Sequence, residues 1–306
     1  MIKAKSTLLL LLFSLLLIIG CQEKAPVAKR VIMLGIDGFS LEGYQKAKTP
    51  NIDALFADGV ISTSTRTVMP SVTMPNWTSH LTGGGPEQHG VFGNNWEKED
   101  HLIAPQEMDE DGYYPSIFKI VKDNVPNIKT AFYFNWKSLI KPFNKKYLDE
   151  QKFEDDDRYD QNYKRALDFL VSNQDVPSLI FLYSVHVDHA GHGHEWMSPE
   201  FITAIEEIDV KIGEFVKQLK SEGLYDDSNF LVFTDHGGIG TSHGGTSVQE
   251  MIVPWMIRGP GINKGVALNS PNSNANTSAV VARLFGIRDT PESWIGKVPS
   301  GIFEED

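Results

Sequence analysis

Length, composition and charge narrow the classes of protein to which this chain can belong. The 306 residues carry 40 acidic and 28 basic side chains, a formal net charge of −12 at pH 7, which argues against a broad basic face for duplex nucleic acid. The single cysteine excludes an intrachain disulfide. The length suffices for one large α/β domain, although length alone does not distinguish one domain from two smaller ones.

The N-terminus has the features of an export signal. Two lysines precede an apolar stretch from about Leu8 to Ile19, which is shorter than the roughly 20 residues of a membrane-spanning helix. The only cysteine, Cys21, follows Leu17-Ile18-Ile19-Gly20, a sequence that resembles a bacterial lipobox. A plain secretory signal with a chance cysteine and an uncleaved anchor helix are the alternatives.

This pattern predicts the domain organisation and the location of the protein. We expect a lipoprotein signal peptide over 1–20, a linker over 21–29 and a single folded domain over 30–306. Lipidation of Cys21 would attach the exported protein to the bacterial envelope, in the periplasm or at the outer membrane.

Four short apolar runs have the composition of buried parallel strands. They lie at Arg30–Ile36, Thr130–Phe134, Ser178–Val185 and Phe230–Thr234. Helix-like segments alternate with them at Asn51–Asp58, Asp160–Ser172, Pro199–Glu222 and Thr277–Leu284. This alternation predicts a mostly parallel sheet with helices on both faces. The polar stretches 100–115 and 142–158 lack periodicity and are predicted to be loops near the rim of the site.

Carboxylates and histidines follow three of the predicted strands. Asp37 follows the first run, Asp188 and His192 the third, and Asp235 and His236 the fourth, with His243 shortly after. Ligands of parallel sheets bind beyond the carboxyl ends of the strands, and zinc in hydrolytic sites takes histidine nitrogen and carboxylate oxygen. Any one of these side chains alone would more often be solvated, but together they predict one metal site.

The ordered motifs resemble the alkaline phosphatase superfamily and, within it, the type I phosphodiesterase/nucleotide pyrophosphatase family. The motifs are Gly35-Ile36-Asp37-Gly38, Pro70-Ser71-Val72-Thr73-Met74-Pro75-Asn76, Asp188-x-x-Gly191-His192 and Thr234-Asp235-His236-Gly237. The similarity runs from about Val31 to Gly286. It implies an α/β fold, an alkaline-phosphatase-like three-layer sandwich with a mostly parallel central sheet, and a catalytic domain over 30–306.

The resemblance also implies two zinc ions, although iron or manganese would suit the same ligands. One ion would be held by Asp188, His192 and His243, and the other by Asp37, Asp235, His236 and Thr73. His243 is the least direct match, because relatives often place their last histidine ligand further along the chain. No histidine follows it in this sequence.

Thr73 is the expected nucleophile. Pro75 suits the first turn of a helix, so Thr73 would lie at a helix N-terminus, where the dipole favours an alkoxide and a phosphate. Ser71 is the competing nucleophile, and a simple N-cap is the competing role for Thr73.

Asn94 matches the position at which the family places an amide against a phosphate oxygen, with the neighbouring Asn95 as the competing match. Such a donor would stabilise charge in the transition state. The remaining histidines near the motifs, His80, His186, His189 and His194, are assigned no role.

These implications predict hydrolysis of phosphate esters, chiefly phosphodiester or pyrophosphate bonds, through a phospho-threonine intermediate. The substrate would be a small-molecule, lipid or glycan phosphate ester. A phosphomonoesterase, a phosphonate hydrolase and a non-catalytic metal-binding surface lipoprotein are the alternatives. A sulfatase is disfavoured because its Cys/Ser-x-Pro-x-Arg motif is missing around Thr73, and a phosphoethanolamine transferase because its multi-span membrane domain is missing.

Overall fold

The computed structural model describes residues 27–100, 102–155 and 157–304. The predicted signal peptide, Cys21 and most of the predicted linker lie outside the described residues. Within those ranges, none of the helices combines the length and the apolar composition needed to span a bilayer.

A mixed sheet, with eight strands among the described residues, forms the middle layer. Strands β1 to β8 are Arg30–Ile36, Val60–Arg66, Lys129–Phe134, Glu150–Phe153, Ser178–Ser184, Ser228–Phe233, Ile252–Arg258 and Val266–Ala267. Their spatial order is β4-β3-β5-β1-β6-β7-β2-β8. Strands β4, β3, β5, β1 and β6 run parallel to one another, whereas β7 is antiparallel to both of its neighbours. The predicted mostly parallel sheet is therefore confirmed.

Ten α-helices connect these strands within the described ranges. Helices α1 to α10 are Leu41–Lys46, Pro50–Phe56, Thr73–Thr82, Pro86–His89, Ile117–Asn124, Tyr159–Ser172, His186–His194, Pro199–Ser221, Val248–Met251 and Asn276–Leu284. Two short 3₁₀ helices lie at Lys137–Ile140 and Lys145–Tyr147. The four helices predicted from the sequence correspond to α2, α6, α8 and α10.

Alternation along the strands creates a hydrophobic core on each face of the sheet. On β1, Val31 and Met33 pack in a cluster with residues of α3, α5 and α10. Ile32 and Leu34 pack on the opposite face with residues of α2, α6 and α8. Successive side chains of a strand point to opposite faces, so a strand covered on both faces must be apolar throughout. The result is the predicted three-layer arrangement.

One predicted loop contains regular structure. The polar stretch 142–158 includes the 3₁₀ helix Lys145–Tyr147 and the edge strand β4, Glu150–Phe153. This strand pairs with β3 through its backbone, but its side chains are mostly exposed. An exposed edge strand needs no apolar pattern, which explains why the sequence did not reveal it. The described part of 100–115 carries no helix or strand, as predicted.

The buried carboxylate of Asp209 fixes helix α2 against helix α8. It accepts hydrogen bonds from the backbone N of Asn51 (3.1 Å) and of Ile52 (2.7 Å), and from Asn51 Nδ2 (2.7 Å). Since these backbone groups belong to the first turn of α2, they have no partner within their own helix. Asp209 therefore caps a neighbouring helix from a distant point in the sequence.

Asp209→Ala is expected to lower the free energy of unfolding by about 2–3 kcal/mol, because it leaves buried donors unsatisfied. Chemical denaturation measures this change, with the exposed Asp226→Ala as the matched control. Equal stability of the two variants would show that Asp209 does not hold α2.

Candidate metal centre

The carboxyl edge of the three central strands gathers the predicted metal ligands. Asp37 directly follows β1, helix α7 follows β5 after one residue, and Asp235 and His236 follow β6. Asp37, Asp235 and His236 are fully buried, and Asp188 in α7 is buried as well. Parallel strands in register thus bring residues that are nearly 200 positions apart to one place.

Asp37 is held through one carboxylate oxygen and leaves the other without a partner. Trp77 Nε1 donates to its Oδ2 at 3.2 Å, and the Tyr183 hydroxyl donates to the same oxygen. Its buried Oδ1 has no hydrogen-bond partner among the described residues and lies 3.5 Å from His236 Nε2. The side chain is therefore fixed in position with one oxygen available to a cation.

Asp235 shows the same division of roles between its oxygens. Gly38 N and Thr234 Oγ1 donate to Oδ1, at 3.2 and 3.3 Å. Its Oδ2 is buried, lacks a hydrogen-bond partner within the described chain and lies 3.1 Å from His236 Nε2.

Asp188 faces the two remaining histidines. Its Oδ1, which also lacks a hydrogen-bond partner in the described ranges, lies 3.8 Å from His243 Nε2, and its Oδ2 lies 3.5 Å from His192 Nε2. Asp188 and His192 are four residues apart in α7, so they project from one face of the helix.

Each of the three histidines is oriented by a backbone carbonyl. The Nδ1 atoms of His192, His236 and His243 lie 2.8, 2.9 and 3.1 Å from the carbonyl oxygens of Thr241, Gly237 and Ser71, respectively. An Nδ1–H that donates to a carbonyl leaves the Nε2 lone pair for a metal, which is the usual arrangement at histidine metal sites.

Two groups of donor atoms are compact enough to hold an ion. Asp188, His192 and His243 form one group, and Asp37, Asp188 and His236 form the other, each with all donor atoms within 4.8 Å of one another. The first group is the predicted first set. The second group contains Asp188 where Asp235 was expected, so Asp188 belongs to both groups. The division of ligands between two ions stays a prediction.

Electrostatics explain why these residues suit a cation. Burial raises the pKa of Asp37, and burial together with the charges of neighbouring aspartates raises the pKa values of Asp188 and Asp235 well above their usual range. Burial lowers the pKa values of His236 and His243, which favours neutral imidazoles. Converging carboxylates with unpartnered oxygens are costly unless a positive charge compensates them. The donor set therefore fits divalent cations.

Thr73 begins helix α3 beside this cluster. It is 5% exposed, and its Oγ1 lies 3.3 Å from His236 Nε2. The preceding Val72 is extended, with φ of −120°, and starts the helix without a side-chain cap. The hydroxyl of Ser71 instead donates to Gly245 O at 2.7 Å. The hydroxyl of Ser71, the competing nucleophile, is therefore already hydrogen-bonded to the loop that contains Gly245.

Asn94 lies at the same helix N-terminus. Its Oδ1 accepts a hydrogen bond from Met74 N at 2.8 Å, one residue beyond Thr73, while the side chain as a whole is exposed. The carbonyl oxygen of the amide is thus fixed to the backbone. The roles of Thr73 and Asn94 in a reaction stay predictions.

Two buried asparagines that sequence reasoning missed brace the segment before Thr73. Asn76 accepts from Val68 N (2.8 Å) and donates to Pro70 O (3.0 Å). Asn274 Nδ2 donates to Asn76 Oδ1 (2.9 Å) and to Asp235 O (2.8 Å). Together they link the Thr73 segment to the loop of Asp235. Asn76 lies in the quoted motif within α3 and Asn274 in a loop near α10, and neither segment gives a sequence signal for a contact with the other.

Trp196 was also missed, and it packs beneath the ligand-bearing loops. Its Nε1 donates to Gly38 O at 3.0 Å. A Cβ atom added at Gly191 or Gly238 would lie 2.7 or 2.3 Å from its indole ring. These glycines adjoin His192 and the loop after His236. The indole therefore contacts all three ligand-bearing segments.

The residues that flank Trp196 adopt unusual backbone conformations. Glu195 has φ of 76° and Met197 has φ of 73°, in the left-handed region that non-glycine residues rarely occupy. Such residues typically cost about 1–3 kcal/mol each and persist where packing requires them. The backbone is therefore strained on both sides of the Trp196 indole, which contacts the three ligand-bearing segments.

Three of the four histidines without an assigned role have structural contacts, and the fourth, His194, is exposed. His80 is buried between Thr277 Oγ1 (2.8 Å) and Thr234 O (3.0 Å), and burial lowers its pKa to about 3. His186 Nε2 lies 3.0 Å from Ala204 O, and burial lowers its pKa to about 4. His189 pairs with Asp157 at 2.8 Å.

The sequence of this chain is similar to a known protein family and to several of its members. A family model described as type I phosphodiesterase/nucleotide pyrophosphatase matches residues 31–274. An uncharacterised pyrophosphatase/phosphodiesterase of Schizosaccharomyces pombe is 27% identical over 219 residues, which are 69% of this chain and 45% of that protein. The bis(5'-adenosyl)-triphosphatase ENPP4 of Bos taurus is 25% identical over 246 residues, 75% of this chain and 52% of that protein. This chain thus spans about half the length of these two relatives.

A solved structure confirms the predicted fold. Murine ectonucleotide pyrophosphatase/phosphodiesterase 5, in complex with AMP, superposes with a TM-score of 0.71 at 14% sequence identity, over 86% of this chain and 96% of that chain. The fold of the present chain is therefore the alkaline-phosphatase-like three-layer sandwich.

Excess Zn²⁺ is expected to raise the melting temperature of the metal-free protein by roughly 5–10 °C, because a cation bound only to the folded state stabilises it. Asp235→Asn removes one buried charge and should reduce this rise, whereas the exposed Asp226→Asn should not. Differential scanning calorimetry with and without Zn²⁺ measures both. An identical rise in the two variants would contradict a role for Asp235 in cation binding.

Trp196→Phe is expected to weaken Zn²⁺ binding by about 10-fold or more, because outer contacts orient the ligands. Trp294→Phe is the matched control: Trp294 is also buried, its Nε1 donates to Pro115 O at 3.4 Å, and it packs on Gly83. Competition with a chromogenic chelator measures the affinity. If both variants lose stability and only Trp196→Phe loses affinity, the indole acts on the metal centre; equal affinities would exclude this.

Proposed function

The chain belongs to the type I phosphodiesterase/nucleotide pyrophosphatase family, and we propose that it hydrolyses phosphodiester or pyrophosphate bonds with Thr73 as the nucleophile and two zinc ions as cofactors. The single observation that carries this proposal is the position of Thr73 Oγ1, 3.3 Å from His236 Nε2 and at the N-terminus of α3. The unpartnered oxygens of Asp37 and Asp235 lie 3.5 and 3.1 Å from the same His236 Nε2, and Asp188 shares a compact donor group with Asp37 and His236.

We assign the ions to the two predicted ligand sets. Asp188, His192 and His243 would hold one ion, and Asp37, Asp235 and His236 would hold the other next to Thr73. When bound, two divalent cations lower the pKa of the threonine hydroxyl and stabilise charge on the attacking and leaving oxygens.

The residues of the chain then act in two steps. Thr73 Oγ1 loses its proton and attacks phosphorus, the bond from phosphorus to the leaving oxygen breaks, and a phospho-threonine forms. The N-terminus of α3 favours the negative charge of the phosphoryl group. Water then attacks the same phosphorus, the bond from phosphorus to Thr73 Oγ1 breaks, and a proton from the water restores the Thr73 hydroxyl. The Asn94 amide, held through its Oδ1 by Met74 N, would donate to a phosphoryl oxygen.

The charges around the site favour a diester over a monoester. Within the described part of the chain, the charged groups that act most strongly on Asp37, Asp188, Asp235, His236 and His243 are aspartates, histidines and Glu250. Two divalent cations (+4) against three aspartates (−3) leave one net positive charge, which a deprotonated Thr73 (−1) reduces to zero, so the site has no excess positive charge for a second phosphate charge. A monoester dianion would bring a second negative charge without a further cation to compensate it.

Relatives suggest nucleotides among the substrates. The bovine relative is named a bis(5'-adenosyl)-triphosphatase, and the murine structure contains AMP.

The N-terminal pattern supports export and lipidation at Cys21, so we place the enzyme in the bacterial envelope, attached to a membrane.

Thr73→Ala is expected to reduce the turnover of bis-p-nitrophenyl phosphate by at least about 10³-fold, because no other group replaces the nucleophile. Thr63→Ala, an exposed threonine on β2, is the matched control and should retain activity. The assay uses the fragment from Gln22 with zinc supplied.

Two further substrates separate the alternatives. A nucleotide p-nitrophenyl ester should be cleaved as a diester, and p-nitrophenyl phosphate should be a poor substrate. Preference for the monoester would shift the proposal to a phosphomonoesterase. Zinc binding without turnover of any ester would favour the non-catalytic lipoprotein.

A further inference from the structure

The loop that carries His243 is fixed by the side chain of Glu250. Glu250 lies in the short helix α9 and is 6% exposed. Its Oε1 accepts a hydrogen bond from Gly245 N at 2.7 Å, and its Oε2 accepts from Ser247 N at 3.1 Å and from Ser247 Oγ at 2.6 Å. One carboxylate therefore holds two points of the segment that follows His243.

Only one of the two carboxylate oxygens is needed to begin the helix. Ser247 N donates to Oε2 and Glu250 N donates to Ser247 Oγ at 3.3 Å, which is a capping box. The bond from Gly245 to Oε1 lies outside this motif. A Cβ atom added at Gly245 would lie 2.7 Å from Oε2 and 3.0 Å from Oε1. The position therefore accommodates only a glycine while the carboxylate stays in place.

The other side of this loop is joined to the segment of the nucleophile. His243 Nδ1 lies 3.1 Å from Ser71 O, and the Ser71 hydroxyl donates to Gly245 O at 2.7 Å. Ser71 lies two residues before Thr73. The imidazole of His243 is thus oriented from one side by Ser71, while Glu250 holds the loop from the other.

The backbone of Glu250 contacts the segment of another predicted ligand. Gly237, which follows His236, donates from its N to Glu250 O at 3.0 Å. Truncation of the side chain at position 250 leaves this bond in place. The rings of His236 and His243 stack with their centroids 3.6 Å apart, so the two segments are adjacent. The carboxylate itself, however, acts on the segment of His243.

The carboxylate of Glu250 is ionised at neutral pH. Burial raises its pKa, but hydrogen bonds from Ser247 and Gly245 outweigh burial and lower the pKa below its usual range. Hydrogen bonds to an ionised acceptor are about twice as strong as those between neutral groups. They can therefore hold a loop in which the adjacent glycines Gly244 and Gly245 would otherwise favour disorder.

We propose that Glu250 is a positioning residue of the metal centre, which acts through His243 and sets the affinity of the ion that this histidine would help to hold. This inference rests on the proposed function, since it uses the ligand sets assigned there. Without the carboxylate, the loop loses three hydrogen bonds. His243 Nε2, which lies 3.8 Å from Asp188 Oδ1, is then no longer held beside its fellow ligand.

The zinc affinities of side-chain variants test this role. Glu250→Ala is expected to weaken the binding of one of two zinc ions by about 10-fold or more and to leave that of the other unchanged. Glu250→Gln keeps an oxygen acceptor for Gly245 N and suits a capping box, so it should bind more tightly than Glu250→Ala. His243→Ala identifies the ion concerned. Competition with a chromogenic chelator, starting from metal-free protein, measures both affinities.

Asp209→Ala is the matched control for a loss of stability alone. Asp209 is also a buried carboxylate that accepts hydrogen bonds from backbone N atoms, but these belong to α2, which carries none of the predicted ligands. This variant should lose stability and retain both zinc affinities. The inference is overturned if Glu250→Ala also retains both, weakens both equally, or weakens the ion that His243→Ala leaves unchanged.

Gly245→Ala tests the same contact from its other side and decides the question even if Glu250→Ala does not fold. The added Cβ would displace the carboxylate from Gly245 N, while the side chain at position 250 is retained. This variant should weaken the same ion as His243→Ala does. Gly193→Ala is its matched control, because a Cβ atom at Gly193 would meet no other described residue within 4 Å. Equal affinities of the two glycine variants would contradict the proposal.

Excess zinc separates positioning from a direct part in the reaction. At zinc concentrations that saturate the weakened site, Glu250→Ala should recover most of the native turnover of bis-p-nitrophenyl phosphate, whereas Thr73→Ala should not. No recovery with both ions bound would overturn a role through metal affinity. If the native chain binds two ions and cleaves no ester, the proposed function fails, and the comparison of affinities still decides the role of Glu250.

Discussion

The clustering of three buried aspartates at one edge of the sheet is the constraint on which the rest of the structure depends. Asp37, Asp188 and Asp235 each present a buried oxygen that lacks a hydrogen-bond partner among the described residues. Such an arrangement is unfavourable for the isolated polypeptide, so the surrounding fold must hold it together. A doubly covered sheet does this well, because its central strands are rigid and end at a common edge. The unfavourable free energy of the site is offset by the burial of the apolar strands that carry its residues.

The sequence revealed the parts of this architecture that follow from periodicity or from ordered motifs. The central parts of β1, β3, β5 and β6 are apolar because helices cover both of their faces, and the long helices have one buried apolar face. The residues at the strand ends could be placed together because parallel strands share an edge. Strand β4 was not predicted from the sequence because its pairing with β3 requires only backbone groups. Backbone pairing leaves no trace in the pattern of side chains.

The contacts that orient the candidate site could not be read from the sequence for a different reason. Tyr183 and Trp77 support Asp37, and Asn274 joins Asn76 to the loop of Asp235. Each contact joins residues from distant segments, and nothing in either segment identifies its partner. The same holds for Trp196, which contacts Gly38 and Gly238 of two other segments. Local sequence specifies which side chains reach the site, whereas tertiary packing specifies which of their atoms face it.

The central position of β1 has a mechanical consequence. A pull on the chain at Val27 would be transmitted through Ala28 into β1, whose parallel neighbours β5 and β6 lie on both sides in the same register. In this geometry the force runs along the strand and shears the hydrogen bonds of both ladders at once, instead of opening them one after another. A domain held by its N-terminus under flow or surface drag would resist extraction of its own central strand, and the residue at the far end of that strand, Asp37, would be shielded from the load.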